Sequence, residues 1–273
     1  MNNNKSILII GYRSQISKEI KRNLGKKYKI SIFSLSKFKK ISYKRLKRFN
    51  IIINCSFNKN CFNNECNSDI IICNKLKDNL TNIKFVMLST SKVYGNVKKK
   101  IEISKCKPLT KYGKYRLYSE KFLKKRLKQN LIILRVSNVL NFDTRGKSIS
   151  KTVINTMIIN LIKKNKILIP IKNYYKDFIT SKYLTTCLDI LLKKDCSGTF
   201  NTSSNIKISL NQLAQRLIKG FGKGEIHFIE DTTDSFTISN NLIKKTTGVK
   251  LKKAEIFKEI EEIGKKLKGQ KIW

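Results

Sequence analysis

The chain has 273 residues, 40% of them hydrophobic, enough for a substantial core and one or two domains. Its net charge of +41 would attract phosphates, nucleic acid or anionic membrane, yet no zinc-finger, RNP or helix-turn-helix pattern accompanies it. The lysines are spread throughout, with an excess of Asn and Ile, all A/T-rich codons, so the charge reads as genome bias and a nucleic-acid partner is not expected. No apolar run approaches the roughly 18 residues of a membrane span. The start, MNNNKSILIIGY, does not read as a signal peptide, so the expected compartment is the cytoplasm. Cys55, Cys61, Cys66, Cys73, Cys106, Cys187 and Cys196 form no CxxC pair, and His227 is the single histidine. No metal site is expected, and the thiols read as free.

Lys5 to Ile10 reads as a strand, followed at once by Gly11 and a helix from about Ser17 to Leu24, closed by Gly25. Strand, glycine turn and helix is the context of a dinucleotide site, with Gly11, Ser14, Gln15 and Ile16 at the diphosphate. Lys29 to Leu35 reads as a second strand. Ser34, Ser36 and Lys37 stand at its end, where an acid would select NAD. Hydroxyls with a cation suit a 2′-phosphate, which favours NADP over NAD. Asn50 to Asn54 is a third strand, running into Cys55 and Ser56. Asn60 to Asn67 reads as loop, and Asp69 to Leu80 as a helix with Ile70, Cys73 and Leu76 on one face.

Phe85 to Leu88 is a buried strand, and Ser89, Thr90 and Ser91 follow at its carboxyl edge, where open parallel sheets bind ligands. Pro108 and Thr110 start a helix on which Tyr112 and Arg116 lie four apart, on one face. A free phenol has a pKa of about 10, and a nearby cation favours the phenolate. Hydroxyl, phenol and cation together suit alcohol oxidation or ketone reduction with a nicotinamide. Taken alone, Tyr112 reads better as a surface tyrosine on an ordinary basic helix, because Tyr and Lys are abundant here. Further on come a strand at Leu131 to Val136, a helix at Lys151 to Lys163 and a strand at Ile167 to Ile171. A helix then runs from a Ser209 cap to a glycine stop at Gly220, followed by a strand at Glu225 to Ile229. Ala254 to Leu267 reads as a basic amphipathic helix with a solvated face.

Leu88-Ser89-Thr90-Ser91-Lys92-Val93-Tyr94-Gly95 and Tyr112-Gly113-Lys114-Tyr115-Arg116 resemble the paired motifs of the extended short-chain dehydrogenase/reductases that act on nucleotide sugars. The resemblance makes Thr90 the family's Ser/Thr, Tyr112 its acid/base and Arg116 the replacement for its lysine. Gly11, Ser14 and Ser17 occupy its three glycine positions, so two glycines are lost. Asn54-Cys55-Ser56 resembles the element passing the cofactor. Asn74 falls at a helix asparagine of the family. Arg135 to Val139 resembles "L-R-x-x-N-V", which puts Ser137 and Asn138 at the substrate. Lys176 to Ile179 resembles "R-D-F-I", with Asp177 at the substrate, but Thr180 to Tyr183 depart from the second half of that element. Gly198 to Asn201 resembles "G-x-Y-N", and Ser239 to Gly248 a late segment near the nucleotide.

The resemblance implies an α/β fold, a doubly wound parallel Rossmann sheet over 1–145. A smaller C-terminal substrate lobe is expected over 146–273, with 176–200 returning to the sheet. It implies NADP or NAD as cofactor and a nucleotide sugar as substrate, with Ser89 among the cofactor contacts and Thr90 and Ser91 at the sugar. The 111–128 helix is the candidate homodimer surface. Sugar dehydratases have Asp-Glu after the threonine, where Ser91 and Lys92 stand here, which leaves 4-keto reduction or C4 epimerisation. The alternative is a catalytically impaired nucleotide-binding or scaffold protein, because the glycines, the lysine and parts of the later motifs have changed.

Overall fold

The computed structural model describes residues 5–57, 66–76, 82–142, 152–171, 173–231 and 235–268. Two compact units emerge, one of Met1–Ser137, Leu184–Thr202 and Asn240–Val249, the other of Asn138–Tyr183, Ser203–Ser239 and Lys250–Trp273. The expected boundary at 145/146 lies outside the described residues, as does most of the expected 60–67 loop.

In the first unit the chain runs β1 (Ser6–Ile10), α1 (Gln15–Leu24), β2 (Lys29–Phe33), α2 (Leu35–Lys40), α3 (Tyr43–Leu46), β3 (Ile51–Asn54), α4 (Ser68–Leu76), β4 (Lys84–Thr90), α5 (Lys111–Leu127) and β5 (Leu131–Val136). After β6 (Asn138–Leu140), α6 (Val153–Lys164), β7 (Lys166–Pro170), β8 (Tyr175–Lys176) and β9 (Phe178–Thr180), helix α7 (Ser181–Lys193) leads back to β10 (Gly198–Thr202). The remainder is β11 (Ile208–Ser209), α8 (Leu210–Phe221), β12 (Glu225–Ile229), α9 (Asn241–Thr247) and α10 (Lys253–Leu267).

Six strands form one parallel sheet in the order β10-β5-β4-β3-β1-β2. This is the doubly wound, Rossmann-like arrangement, with 198–202 restored to its edge. The inner strands β1, β3, β4 and β5 are mostly apolar and buried because both faces are covered, whereas the edge strands β2 and β10 carry polar residues. Leu8, Ile10, Ile52, Phe85, Met87 and Ile133 alternate onto one face, where Phe38, Ile72, Leu76 and Leu123 of the helices meet them.

The second strand stops two residues before the expected Leu35. The Ser34 hydroxyl accepts from Lys37 N–H at 3.1 Å and starts α2 instead. Gly220 does not stop α8, which runs on to Phe221 and ends at Gly222 with φ 92°. Gly220 is needed within the helix, because a Cβ there would collide with the Glu261 carbonyl of α10. The last helix, read as amphipathic and basic, buries its apolar stripe against α8. Ile256, Ile260, Gly264 and Leu267 of α10 are buried, and its backbone lies close on α8.

Gly264 faces Leu217 and Phe221 so closely that a Cβ would lie 2.7 Å from the Phe221 nitrogen. Gly264→Ala is therefore expected to cost about 1–3 kcal/mol through overpacking, read as a lower urea midpoint in circular dichroism.

Candidate active site

The site is built at the carboxyl edge of β4. Ser89 and Thr90 are its last residues, and the Thr90 hydroxyl accepts from Lys92 N–H at 3.3 Å, turning the chain into a short 3-10 turn. Helix α5 begins under a Thr110 cap, whose hydroxyl accepts from Gly113 N–H at 3.0 Å. Gly113 lets the helix approach the turn closely. A Cβ there would lie 2.6 Å from the Lys92 carbonyl oxygen and 3.0 Å from Pro108 Cβ. This contact places Tyr112, half-buried, beside the turn that follows Thr90 and Ser91.

Arg116 is 4% exposed and divides its guanidinium between two partners. Its Nε donates to the Tyr112 Oη at 3.4 Å, and its Nη1 donates to Asp69 Oδ2 at 2.6 Å. Asp69, fully buried at the start of α4, also accepts from Asn54 Nδ2 at 2.7 Å. Asn54 Oδ1 in turn accepts from the Ser56 amide at 3.0 Å and hydroxyl at 2.7 Å. The Phe57 ring meets Tyr112 edge-on at 4.9 Å, with the Arg116 guanidinium 5.4 Å from its centre. Burial works against the Arg116 charge, but Tyr112 and Asp69 outweigh it and hold the guanidinium protonated. Burial pushes the Asp69 carboxyl upward, opposed by Arg116 and by the Asn54 amide. Burial likewise pushes the Cys55 thiol up to about 12, opposed by Ser17 and Arg116.

At the first turn, Gly11 has φ 120°, and a Cβ would lie 2.8 Å from the Cys55 carbonyl carbon and the Ser56 nitrogen. Only glycine suits this position. Ser17 is buried and its hydroxyl donates to the Gly11 carbonyl at 2.7 Å, so it points inward and lets α1 stay close to the strand. Ser14 precedes Gln15 and Ile16 at the start of α1, and its hydroxyl does not cap the helix. At the end of β2, the Ser34 and Ser36 hydroxyls are 2.8 Å apart. Lys37 Nζ lies 4.4 Å and Arg45 Cζ 5.6 Å from the Phe33 ring centre.

A second buried network runs beside the first. Ser89 Oγ donates to Glu120 at 2.5 Å, and Arg135 donates through Nε and Nη2 to the same carboxylate, at 2.7 Å for Nη2. Arg135 Nη1 also donates to the Tyr94 Oη at 2.9 Å, and Tyr94 donates to Asn201 Oδ1 at 2.7 Å. The VYG tyrosine, the LRxxNV arginine and the GxYN asparagine therefore meet in one cluster. Ser137 lies at the end of β5, its amide donating to the Thr202 carbonyl at 3.1 Å.

In the second unit, Asn138 Nδ2 donates to the Asp177 carbonyl at 2.8 Å. The Asp177 carboxylate accepts from Ser204 N–H, Ser204 Oγ and Asn205 N–H, each at 2.9 Å. It thus clamps the 204–205 backbone. Asn74 stands apart from the Asn54–Asp69 cluster, exposed and accepting from Arg126 Nη1 at 3.3 Å.

Sequence reasoning missed Asp69 and Glu120. Acids number only 18 in the chain. An acid at the start of an apolar helix, and another four residues beyond Arg116 in a run of lysines, were the available signals. Asn67 was missed too. Its Oδ1 accepts from Asp69 N–H at 3.1 Å, and its Nδ2 donates to Ser119 at 2.8 Å. One cysteine expectation is corrected, since Cys66 is disulfide-bonded, whereas Cys55, Cys73, Cys106, Cys187 and Cys196 form no disulfide.

Residues 54–202 match the NAD dependent epimerase/dehydratase family. A dTDP-glucose 4,6-dehydratase from Bacillus anthracis, solved in complex with NAD, is similar at TM-score 0.78 and 15% identity, covering 98% of both chains. A UDP-N-acetylglucosamine 4-epimerase from Methanobrevibacter ruminantium is similar at TM-score 0.80 and 18% identity, over 96% of this chain and 97% of that one. A dTDP-4-dehydrorhamnose reductase from Clostridium acetobutylicum is similar at TM-score 0.74 and 18% identity, over 94% and 99%. These likenesses show the fold. No curated protein sequence matches.

Replacing Glu120 by Ala leaves the buried Arg135 without its anion. The expected cost is about 3–5 kcal/mol, measured by chemical denaturation.

Proposed function

The chain belongs to the NAD dependent epimerase/dehydratase family, and on that premise we propose that it acts on a nucleotide-linked sugar, by 4-keto reduction or C4 epimerisation. The observation that carries this reading is the Arg116 guanidinium held against the Tyr112 phenol beside the edge of β4. In reduction, Tyr112 gives its proton to the sugar oxygen, and in oxidation it takes one. Arg116 offsets the negative charge that remains on the phenolate. Thr90 donates a hydrogen bond to the same oxygen, which helps to fix the reacting carbon. NAD(P) supplies or accepts the hydride when bound.

The residues around Gly11 fit a dinucleotide diphosphate. The bare Gly11 backbone, the uncapped Ser14 hydroxyl and the first amides of α1, at Gln15 and Ile16, offer donors without side-chain bulk. Asn54, Cys55 and Ser56 follow the neighbouring strand, with Ser89 one strand further on. Ser34, Ser36 and Lys37, joined by Arg45, support NADP over NAD, since two cations and two hydroxyls suit a 2′-phosphate. Ser91 and Lys92 follow Thr90 where water elimination would use carboxylates, so dehydration is the less favoured reaction. Ser137, Asn138 and Asp177 are assigned to the substrate side, with Asp177 acting through the loop it clamps.

The test is turnover of a panel of nucleotide 4-ketosugars with NADPH or NADH by the native chain and by Tyr112→Phe. The phenylalanine variant should lose about 10²–10⁴-fold in kcat while still binding the nucleotide sugar. Equal turnover by both would overturn the assignment. Absence of turnover by either would favour a nucleotide-binding role without catalysis.

A further inference from the structure

We propose that Asp69 is a positioning residue of this site, one that takes one arm of Arg116 so that the guanidinium meets Tyr112 through its Nε edge. The inference rests on the reading of Tyr112 as the acid/base. Arg116 reaches Asp69 through Nη1 at 2.6 Å and Tyr112 through Nε at 3.4 Å, from a position that is 4% exposed. Asp69 is itself fixed on both sides. Asn54 Nδ2 donates to its other oxygen at 2.7 Å, and its amide donates to Asn67 Oδ1 at 3.1 Å. The carboxylate thus has one place, between the end of β3 and the start of α4, and the guanidinium is aimed from there.

This pairing gives a physical reason for arginine where the resembled family has lysine. A planar fork presents donors on two edges and can engage an anion with one and a phenol with the other. An ammonium gathers its three donors on one nitrogen, so it could serve both groups only if carboxylate and phenol converged on that single point. Arg116 and Asp69 belong together, and an Asn at 69 would keep an acceptor for Nη1 while removing only the charge.

Charge follows from the same geometry. With Asp69 ionised, the buried pair is neutral overall and Tyr112 faces the positive end of a dipole. With Asp69 neutral, Tyr112 would face an uncompensated buried cation, which favours the phenolate. The other titratable groups facing the cluster are Tyr115 on α5, Cys55 after β3 and Glu120, whose carboxylate is engaged by Arg135.

The experiment is a pH titration of the full chain labelled with [13Cζ]tyrosine, followed by NMR, with Tyr112→Phe identifying the signal. Asp69→Asn should move the Tyr112 midpoint to lower pH by about one unit, a tenfold change in acid strength. Arg116→Gln should move it to higher pH. If Asp69→Asn leaves the midpoint within about 0.2 units of the native value while Arg116→Gln shifts it, the proposal is overturned. Should Asp69→Asn fail to fold, Asp69→Ser is titrated with the same expectation. If neither neutral variant folds, Asp69 serves the fold alone and the proposal falls. The titration requires no substrate and no cofactor, so a chain that turns over no sugar still decides this question separately from the proposed activity.

Discussion

The Glu120 carboxylate receives the Ser89 hydroxyl from β4 and the Arg135 guanidinium from β5, in a space where both charged side chains are at most 3% exposed. Helix α5 cannot rotate or slide without separating this buried pair. Removing two charges from water is costly, and an apolar replacement of the same shape could be as stable. What the ion pair adds is direction, because each hydrogen bond has a required geometry and an unsatisfied member is heavily penalised. Glu120 lies four residues, about one helical turn, after Arg116 and eight after Tyr112. Fixing Glu120 therefore fixes the face on which the proposed reacting groups stand.

The same logic repeats one turn earlier. Arg116 is anchored by Asp69, which is anchored by Asn54 at the end of β3. Adjacent strands β3 and β4 each end in a polar group that grips one level of α5, since Asn54 reaches Arg116 through Asp69 and Ser89 reaches Glu120 directly. Gly113 allows the helix to come close enough for both grips. The carboxyl edge of the sheet is in this way organised by two buried acid–arginine pairs. Tyr112 lies beyond both, half-buried at the open end.

Much of this was legible. Continuous apolar strands, the glycine turn after β1, the Thr110 cap and the tyrosine–arginine spacing are local features, and each has a local physical cause. The parallel sheet follows once strands alternate with helices. The residues that lock the site were harder to see because their partners are distant in sequence. Asp69 meets Arg116 across 47 positions, and Tyr94 meets Asn201 across 107. Ser17 read as a lost glycine, yet its hydroxyl bonds the Gly11 carbonyl and keeps α1 close. Gly220 read as a helix stop because glycine commonly ends helices, whereas here a crossing helix requires its bare backbone. The apolar stripe of α10 was legible in its amphipathic pattern, but not that α8 is what covers it. Asp177 carries a motif position, but its carboxylate is taken by backbone donors that no local pattern announces.

The central claim is that the edge beyond β1, β3 and β4 holds a nicotinamide dinucleotide next to Tyr112. Direct titration of the purified full chain with NADPH and with NADH, followed by nicotinamide fluorescence, tests it most directly. The account predicts saturable binding of both, with NADPH the tighter through Ser34, Ser36, Lys37 and Arg45. Absence of binding by either dinucleotide, in a chain shown by circular dichroism to be folded, would contradict it.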